Sequence, residues 1–189
     1  GRNNDPESIE RFTQEFRLSS TGDGRLSWDA GVYYYHLDSV TAGEIELEED
    51  LLAVLGSSET YMKKSTTGDM SADSYSAFGS VDYAVTDHFD VTLGARYTYE
   101  SKSIDYDQQD FEAELGFPIL GGTVSYRDDD NWDAFTPALT LRYKAGGEGI
   151  VYATISQGFK SGGYNDGAGD ASGISFGPET LWNYECGIK

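Results

Sequence analysis

Phe89-Asp90-Val91-Thr92-Leu93-Gly94-Ala95-Arg96-Tyr97-Thr98-Tyr99-Glu100 is the stretch that decides the fold. Phe89, Val91, Leu93, Ala95, Tyr97 and Tyr99 share one parity; Asp90, Thr92, Gly94, Arg96, Thr98 and Glu100 share the other. A β-strand sends alternate side chains to opposite faces, so this is one strand with an apolar face and a polar, partly charged face. Aromatics stand at both ends of the apolar face with aliphatics between them. A bilayer asks that order of a spanning strand: hydrocarbon contact in the middle, rings at the two interfaces.

The same alternation recurs on both sides of this stretch, at 12–20, 26–38, 75–85, 132–144, 150–160 and 182–189. In 75–85, Phe78 falls on the polar parity, which leaves that register less secure. Short turns at 21–24, 86–88 and 145–149 alternate with long stretches at 39–73, 104–131 and 162–178, which read as irregular. The first of these has room for a short helix around the apolar run 51–55. Strict alternation of short and long connections describes an up-and-down meander with every turn at one end and every loop at the other. Outer-membrane barrels have this asymmetry, with short periplasmic turns and long extracellular loops.

Charge follows the same division. Residues 38–73, 101–131 and 162–179 hold 20 of the 33 acidic residues but only 4 of the 13 basic ones. Glu15, Arg17, Asp29, Asp82, Asp90, Arg96, Arg142 and Glu185 all lie on the polar parity of their strands. An Arg or Lys on a lipid face at mid-bilayer costs about 2–4 kcal/mol, so the polar face is expected to line a wet lumen.

Composition excludes several classes. A formal charge of −20 in 189 residues argues against nucleic acid as a partner. Aromatic content of 14% argues against a disordered acidic chain. No run of eighteen apolar residues is present, which removes a transmembrane helix but not a barrel. The single Cys186 rules out an internal disulfide framework. The first residues, Gly-Arg-Asn-Asn-Asp, are neither an initiator Met nor a signal peptide, so the sequence is expected to be a piece of a longer chain.

With the strands laid out, the sequence resembles the barrel domain of TonB-dependent outer-membrane receptors. The segments that carry the resemblance are Phe-Thr-Gln-Glu-Phe-Arg-Leu-Ser-Ser (12–20), Ser-Ala-Phe-Gly-Ser-Val-Asp-Tyr-Ala-Val-Thr-Asp (76–87) and Val-Thr-Leu-Gly-Ala-Arg-Tyr (91–97). Phe-Thr-Pro-Ala-Leu-Thr-Leu-Arg-Tyr (135–143), Val-Tyr-Ala-Thr-Ile-Ser-Gln-Gly-Phe-Lys-Ser-Gly-Gly-Tyr-Asn (151–165) and Pro-Glu-Thr-Leu-Trp-Asn-Tyr-Glu-Cys-Gly-Ile-Lys (178–189) complete the series. The resemblance implies an all-β, antiparallel segment of about seven strands, an unclosed part (1–189) of a 22-stranded transmembrane barrel in the bacterial outer membrane. It implies uptake of an iron–siderophore complex or similar scarce nutrient, energised by the TonB coupling protein through N-terminal parts, and a plug domain, not found in this sequence. Outer-membrane lipid is the remaining partner; no enzymatic activity, cofactor or metal is implied.

Candidate sites were weighed against plainer readings. The acidic runs 44–50 and 128–130 match no defined calcium loop and read as solvated. Gly-Ala-Gly at 167–169 lacks the strand and helix of a dinucleotide fingerprint. His36 and His88 are isolated, without Cys, His or carboxylate at ligand spacing. The functional candidates are therefore residues of lumen parity near the long-loop end: Tyr33, Tyr35, Arg96, Thr98, Glu100, Lys160, Tyr164 and Asn165. Their plainer role is a ladder of wall charges in which Arg96 and Glu100 take part. Two other readings of the whole chain are a passive porin-like channel and a soluble all-β adhesion or glycan-binding domain.

Overall fold

Alternating sequence becomes alternating surface along seven long antiparallel strands. The structure, a computed structural model, describes residues 3–4, 7–22, 24–48, 61–111, 123–146, 149–165 and 173–189. The strands are β1 (Asn3–Asn4), β2 (Glu7–Ser19), β3 (Leu26–Glu48), β4 (Tyr61–Ala84), β5 (Phe89–Phe111), β6 (Val124–Ala145), β7 (Gly149–Lys160), β8 (Gly163–Tyr164), β9 (Ser175–Phe176) and β10 (Glu179–Ile188). The large sheet runs β3-β4-β5-β6-β7-β10, with β2 and the short β1 both on the free side of β3. Neighbours in sequence are neighbours in space, an open up-and-down meander. In the β2–β3 turn Gly22 sits at φ 154°, a conformation an L side chain rarely adopts.

The register sorts the two faces. On the outward face, rows such as Phe16–Val32–Ala77–Tyr97–Phe135 and Val81–Leu93–Leu139–Ile155 cross strand to strand. These side chains are bare: Leu93 is 58% exposed, Phe135 60% and Tyr184 73%. Such a continuous apolar surface is incompatible with water and suited to lipid. Phe12, Tyr34 and Tyr75 form a contiguous aromatic group at its upper edge, with ring centroids 6.1 and 5.0 Å apart. On β5 the interval from Phe89 to Tyr99 is a spanning strand of ordinary length.

The inward face at the same level is polar. Ser80 donates to Asp29, Thr92 to Asp82, and Lys144 stands 3.0 Å from the nearly buried Asp90. Phe78 belongs to this face too: its ring lies between Arg17 and Arg96, at 5.1 and 5.6 Å from their guanidinium carbons. Its parity is therefore the true register; a cation–π contact makes an aromatic side chain welcome on a polar wall.

Much of the expected irregular stretches 39–73 and 104–131 is strand. β3, β4, β5 and β6 continue well past the outer aromatics, and β5 adds twelve residues beyond Tyr99, roughly 40 Å of ribbon at about 3.3 Å per residue. Their polarity inverts there. Ser103, Asp105 and Asp107 face outward, beside Asp69, Ser71, Arg127 and Asp129, whereas Ile104 and Tyr106 face inward and are 2% and 3% exposed. Once lipid ends, the outer face meets water and the inner face must supply the dry core. The third long connection supplies its cover: β8 and β9 form a small hairpin, here called the strap, laid on the inward face. Ile174 of the strap is fully buried against Ile104 and Tyr106, with Met70, Val124, Tyr126 and Tyr164 around them. The expected helix at 51–55, the side chains of 45–50 and the Gly-Ala-Gly at 167–169 lie outside the described residues.

Candidate functional site

Strand geometry decides which inward side chains can meet. Residues two apart on one face are about 7 Å apart and residues four apart about 13 Å. Glu100 therefore reaches Lys102, not Arg96: the Glu100 Oε1 to Lys102 Nζ distance is 2.8 Å. Of the expected ladder of wall charges, Glu100 takes part through Lys102, while Arg96 has no carboxylate within 4 Å among the described residues; the two belong to separate clusters.

The upper cluster fastens the strap. Lys102 Nζ donates to Ser161 Oγ at 2.8 Å and to the Gly162 carbonyl at 3.0 Å, and Ser161 Oγ donates to Glu100 Oε1 at 2.5 Å. Trp132 closes the group, 5.9 Å from the ammonium and close against Gly162, where a Cβ would fall 2.6 Å from the indole. Between strap and wall lies a cavity of about 120 Å³ lined by Leu37, Met70, Ala72, Lys102, Tyr164 and Phe176 among others. Also at the strap's root, Lys160 Nζ stands 5.5 Å over the half-exposed Phe176 ring and 3.9 Å from Glu179.

The lower cluster surrounds Arg96. Its Nη2 donates to Ser76 Oγ at 2.9 Å and its Nε to Thr98 Oγ1 at 3.2 Å. The guanidinium carbon is 5.5 Å from the centre of the Tyr33 ring and 5.6 Å from Phe78. Ser76 itself is buried. Close by, Arg17 is paired with Glu15 at 3.1 Å. Gly31 makes room for the Phe78 ring, which an added Cβ would meet at 2.5 Å.

The predicted residues thus divide. Tyr33, Arg96 and Thr98 converge; Glu100 and Lys160 both lie at the strap's root. Tyr35 is on the inward face, half-buried, in the row Thr13–Tyr35–Ser74–Glu100. Tyr164 turns into the extramembrane core, where its hydroxyl is buried without a hydrogen-bond partner among the described residues. Burial, with the carboxylates of Asp128 and Asp130 nearby, pushes its pKa up to about 12. Asn165 is exposed, and its amide donates to the Ile174 carbonyl at 2.7 Å. Sequence reasoning missed Ser76, Phe78, Lys102, Trp132, Ser161 and Phe176. Phe78 carried the one available signal, its anomalous parity; Ser161 and Phe176 became partners only through strap closure.

His36 is not isolated. It lies on the outward face just above Tyr34, with Nε2 3.1 Å from Asp38 and Nδ1 3.1 Å from Asp73. Asp73 also accepts from Tyr34 at 2.7 Å. Asp38 is two residues along the same strand and so on the same face by simple alternation, whereas Asp73 is the cross-strand partner of His36, which only the register brings near. No group of three or more His, Cys, Asp or Glu is arranged to hold a metal among the described residues.

Known proteins share this architecture. The chain is 25% identical over 190 residues to the pesticin receptor of Yersinia enterocolitica, covering 98% of this chain and 25% of that protein. The pesticin receptor of Yersinia pestis matches to the same extent. The crystal structure of the ferric yersiniabactin uptake receptor FyuA from Yersinia pestis superposes with a TM-score of 0.79 at 23% identity, over 98% of this chain and 27% of that one. The chain thus spans about a quarter of the length of the curated relatives it matches. Residues 1–189 match throughout the family described as TonB dependent receptor-like, beta-barrel, and with its lipid-facing exterior and polar interior the chain belongs to that family.

Proposed function

We propose that this chain forms part of the wall of an outer-membrane receptor that binds an iron–siderophore complex or a similar scarce nutrient and imports it with energy delivered by TonB. The observation that carries this reading is the family match along the entire chain. The relatives' names point the same way, one being a ferric yersiniabactin uptake receptor and others pesticin receptors. The structure's contribution is physical. A bare apolar exterior suits residence in a bilayer, and an interior holding arginine, hydroxyl and aromatic side chains suits polar, ring-bearing cargo. Such receptors transport and perform no chemistry on what they carry.

The test is genetic and biochemical. Deleting the gene should abolish growth on at least one ferric chelate under iron limitation and remove an outer-membrane protein that binds that chelate. Import of radioactive iron from the same chelate should stop when the proton gradient is collapsed or tonB is deleted. Import indifferent to both would identify a passive channel instead.

A further inference from the structure

Among the described residues, Arg96 is a cation without a counter-ion. Its hydrogen bonds go to two hydroxyls, Ser76 and Thr98, and no carboxylate lies within 4 Å of it among the described residues. The inward carboxylates around it are already engaged. Glu15 pairs with Arg17, Glu100 with Lys102 and Ser161, Asp29 accepts from Ser80, Asp82 from Thr92, and Asp90 stands beside Lys144 and Arg142. In a chain of net charge −20, an unpaired guanidinium is against the trend. Tyr33 and Phe78 partly desolvate it and stabilise its charge through their ring faces without neutralising it.

The free side of the group is defined by what the bound side uses. Nε and Nη2 make one edge of the planar fork, and that edge is spent on Thr98 and Ser76. Both Nη1 protons and the second Nη2 proton are left over. One Nη1 proton and that Nη2 proton form the end-on edge, which matches the two oxygens of a carboxylate. Since Ser76 and Thr98 fix the plane, the fork is already oriented before any anion arrives, so little further side-chain entropy is lost on binding.

We propose that Arg96, held by Ser76 and Thr98 and flanked by Tyr33 and Phe78, is an anion subsite of the inner wall that takes a carboxylate of a small soluble molecule entering the lumen. This rests on the proposed receptor reading only in assigning the inward face to a lumen. The site should exist whether or not transport is demonstrated.

The test uses the native receptor extracted from outer membranes in detergent, with oxalate as the probe. Phenylglyoxal modification of each arginine is followed by peptide mass spectrometry, with the exposed Arg25 as internal reference. Arg96 should react readily in the absence of anions. Oxalate at tens of millimolar should slow that reaction several-fold while leaving Arg25 unchanged, and chloride at equal ionic strength should not substitute. Oxalate should also raise the melting temperature of the wild type and of Arg96→Lys, but not of Arg96→Gln. Two results overturn the proposal. Arg96 that reacts equally with and without oxalate is no anion site. Arg96 that resists modification before any anion is added is already neutralised by another part of the polypeptide. Failure of the import experiment with oxalate protection intact would overturn the receptor reading and leave the subsite standing.

Discussion

Lys102 on β5 holds Ser161, 59 residues further along the chain, by a 2.8 Å hydrogen bond, and both share the carboxylate of Glu100. One ammonium thereby ties the end of a transmembrane strand to the start of the strap. Replacing Lys102 by Ala removes the donor for Ser161 and for the Gly162 carbonyl and leaves Glu100 half-buried without the cation that pairs with it. The expected cost is about 1–3 kcal/mol, concentrated in the strap. Hydrogen exchange should rise at residues 161–165 and 173–176 and stay unchanged at 89–97.

Gly162 lies where a side chain cannot. A Cβ would stand 2.6 Å from both the Phe176 carbonyl oxygen and the Trp132 ring, and the carbonyl is backbone that cannot swing aside. Gly162→Ala should destabilise the strap by about 1–3 kcal/mol and shift Trp132 fluorescence towards that of a solvated indole. Gly146→Ala, where nothing lies within 4 Å, is the control and should be nearly silent.

Ile174 is the strap's hydrophobic anchor, fully buried beside Ile104 and Tyr106. Truncation to Ala should cost about 2–5 kcal/mol of local stability. Because that core is separate from the lipid-facing wall, the barrel should still insert. Limited proteolysis should cut the Ile174→Ala protein within the strap at protease levels that spare the wild type, with the heat-modifiable band on gels preserved.

Tyr164 presents the opposite case, a buried hydroxyl without a partner among the described residues. Tyr164→Phe removes a polar group that gains nothing from folding, so the strap should be as stable or slightly more so. The pKa, raised to about 12 from the ordinary tyrosine value, sets a pH window. The folded strap holds the proton more tightly than the open one, so its stability is whole below about pH 10 and falls as pH climbs towards 12. Proteolysis of the strap should accelerate across that interval in the wild type and less in Tyr164→Phe.

The division of faces gives a fifth prediction. Leu93→Arg puts a charge on the outward face among lipid tails and should cost about 2–4 kcal/mol of folding into vesicles. Thr92→Arg, one residue away, points inward beside Asp82 and should fold with little loss. Denaturant titration of both variants in the same lipid measures the difference.

Those two residues also show what the sequence could tell. From Phe89 to Tyr99 one solvent, lipid, sets the outward face, and simple alternation reads the strand correctly. Beyond Glu100 the outward face meets water, so Ser103, Asp105 and Asp107 are polar on the parity that had been apolar. Ile104 and Tyr106 take the opposite side, which looked like the end of the strand. Alternation survives, but its sense reverses, and only knowledge of the strap explains why the inner face should be dry. Phe78 misled for a related reason: its neighbours across the sheet, Arg17 and Arg96, are 61 and 18 positions away in sequence and justify it only once registered. The candidates Tyr33, Arg96 and Thr98 follow from parity and nearness to the long-loop end, whereas Lys102, of the same parity on the same strand, has no feature in the sequence that sets it apart.

The uninterrupted ladder between β4 and β5 runs through 22 consecutive residue pairs, from within the bilayer to far above it. A ribbon paired so continuously has no hinge, so mechanically the rim and the membrane wall are one beam. Force applied at the mouth is carried down to the level of Arg96 and not absorbed on the way. Compliance is left to the strap, which a few side-chain contacts hold in place and which can yield while the wall stays rigid.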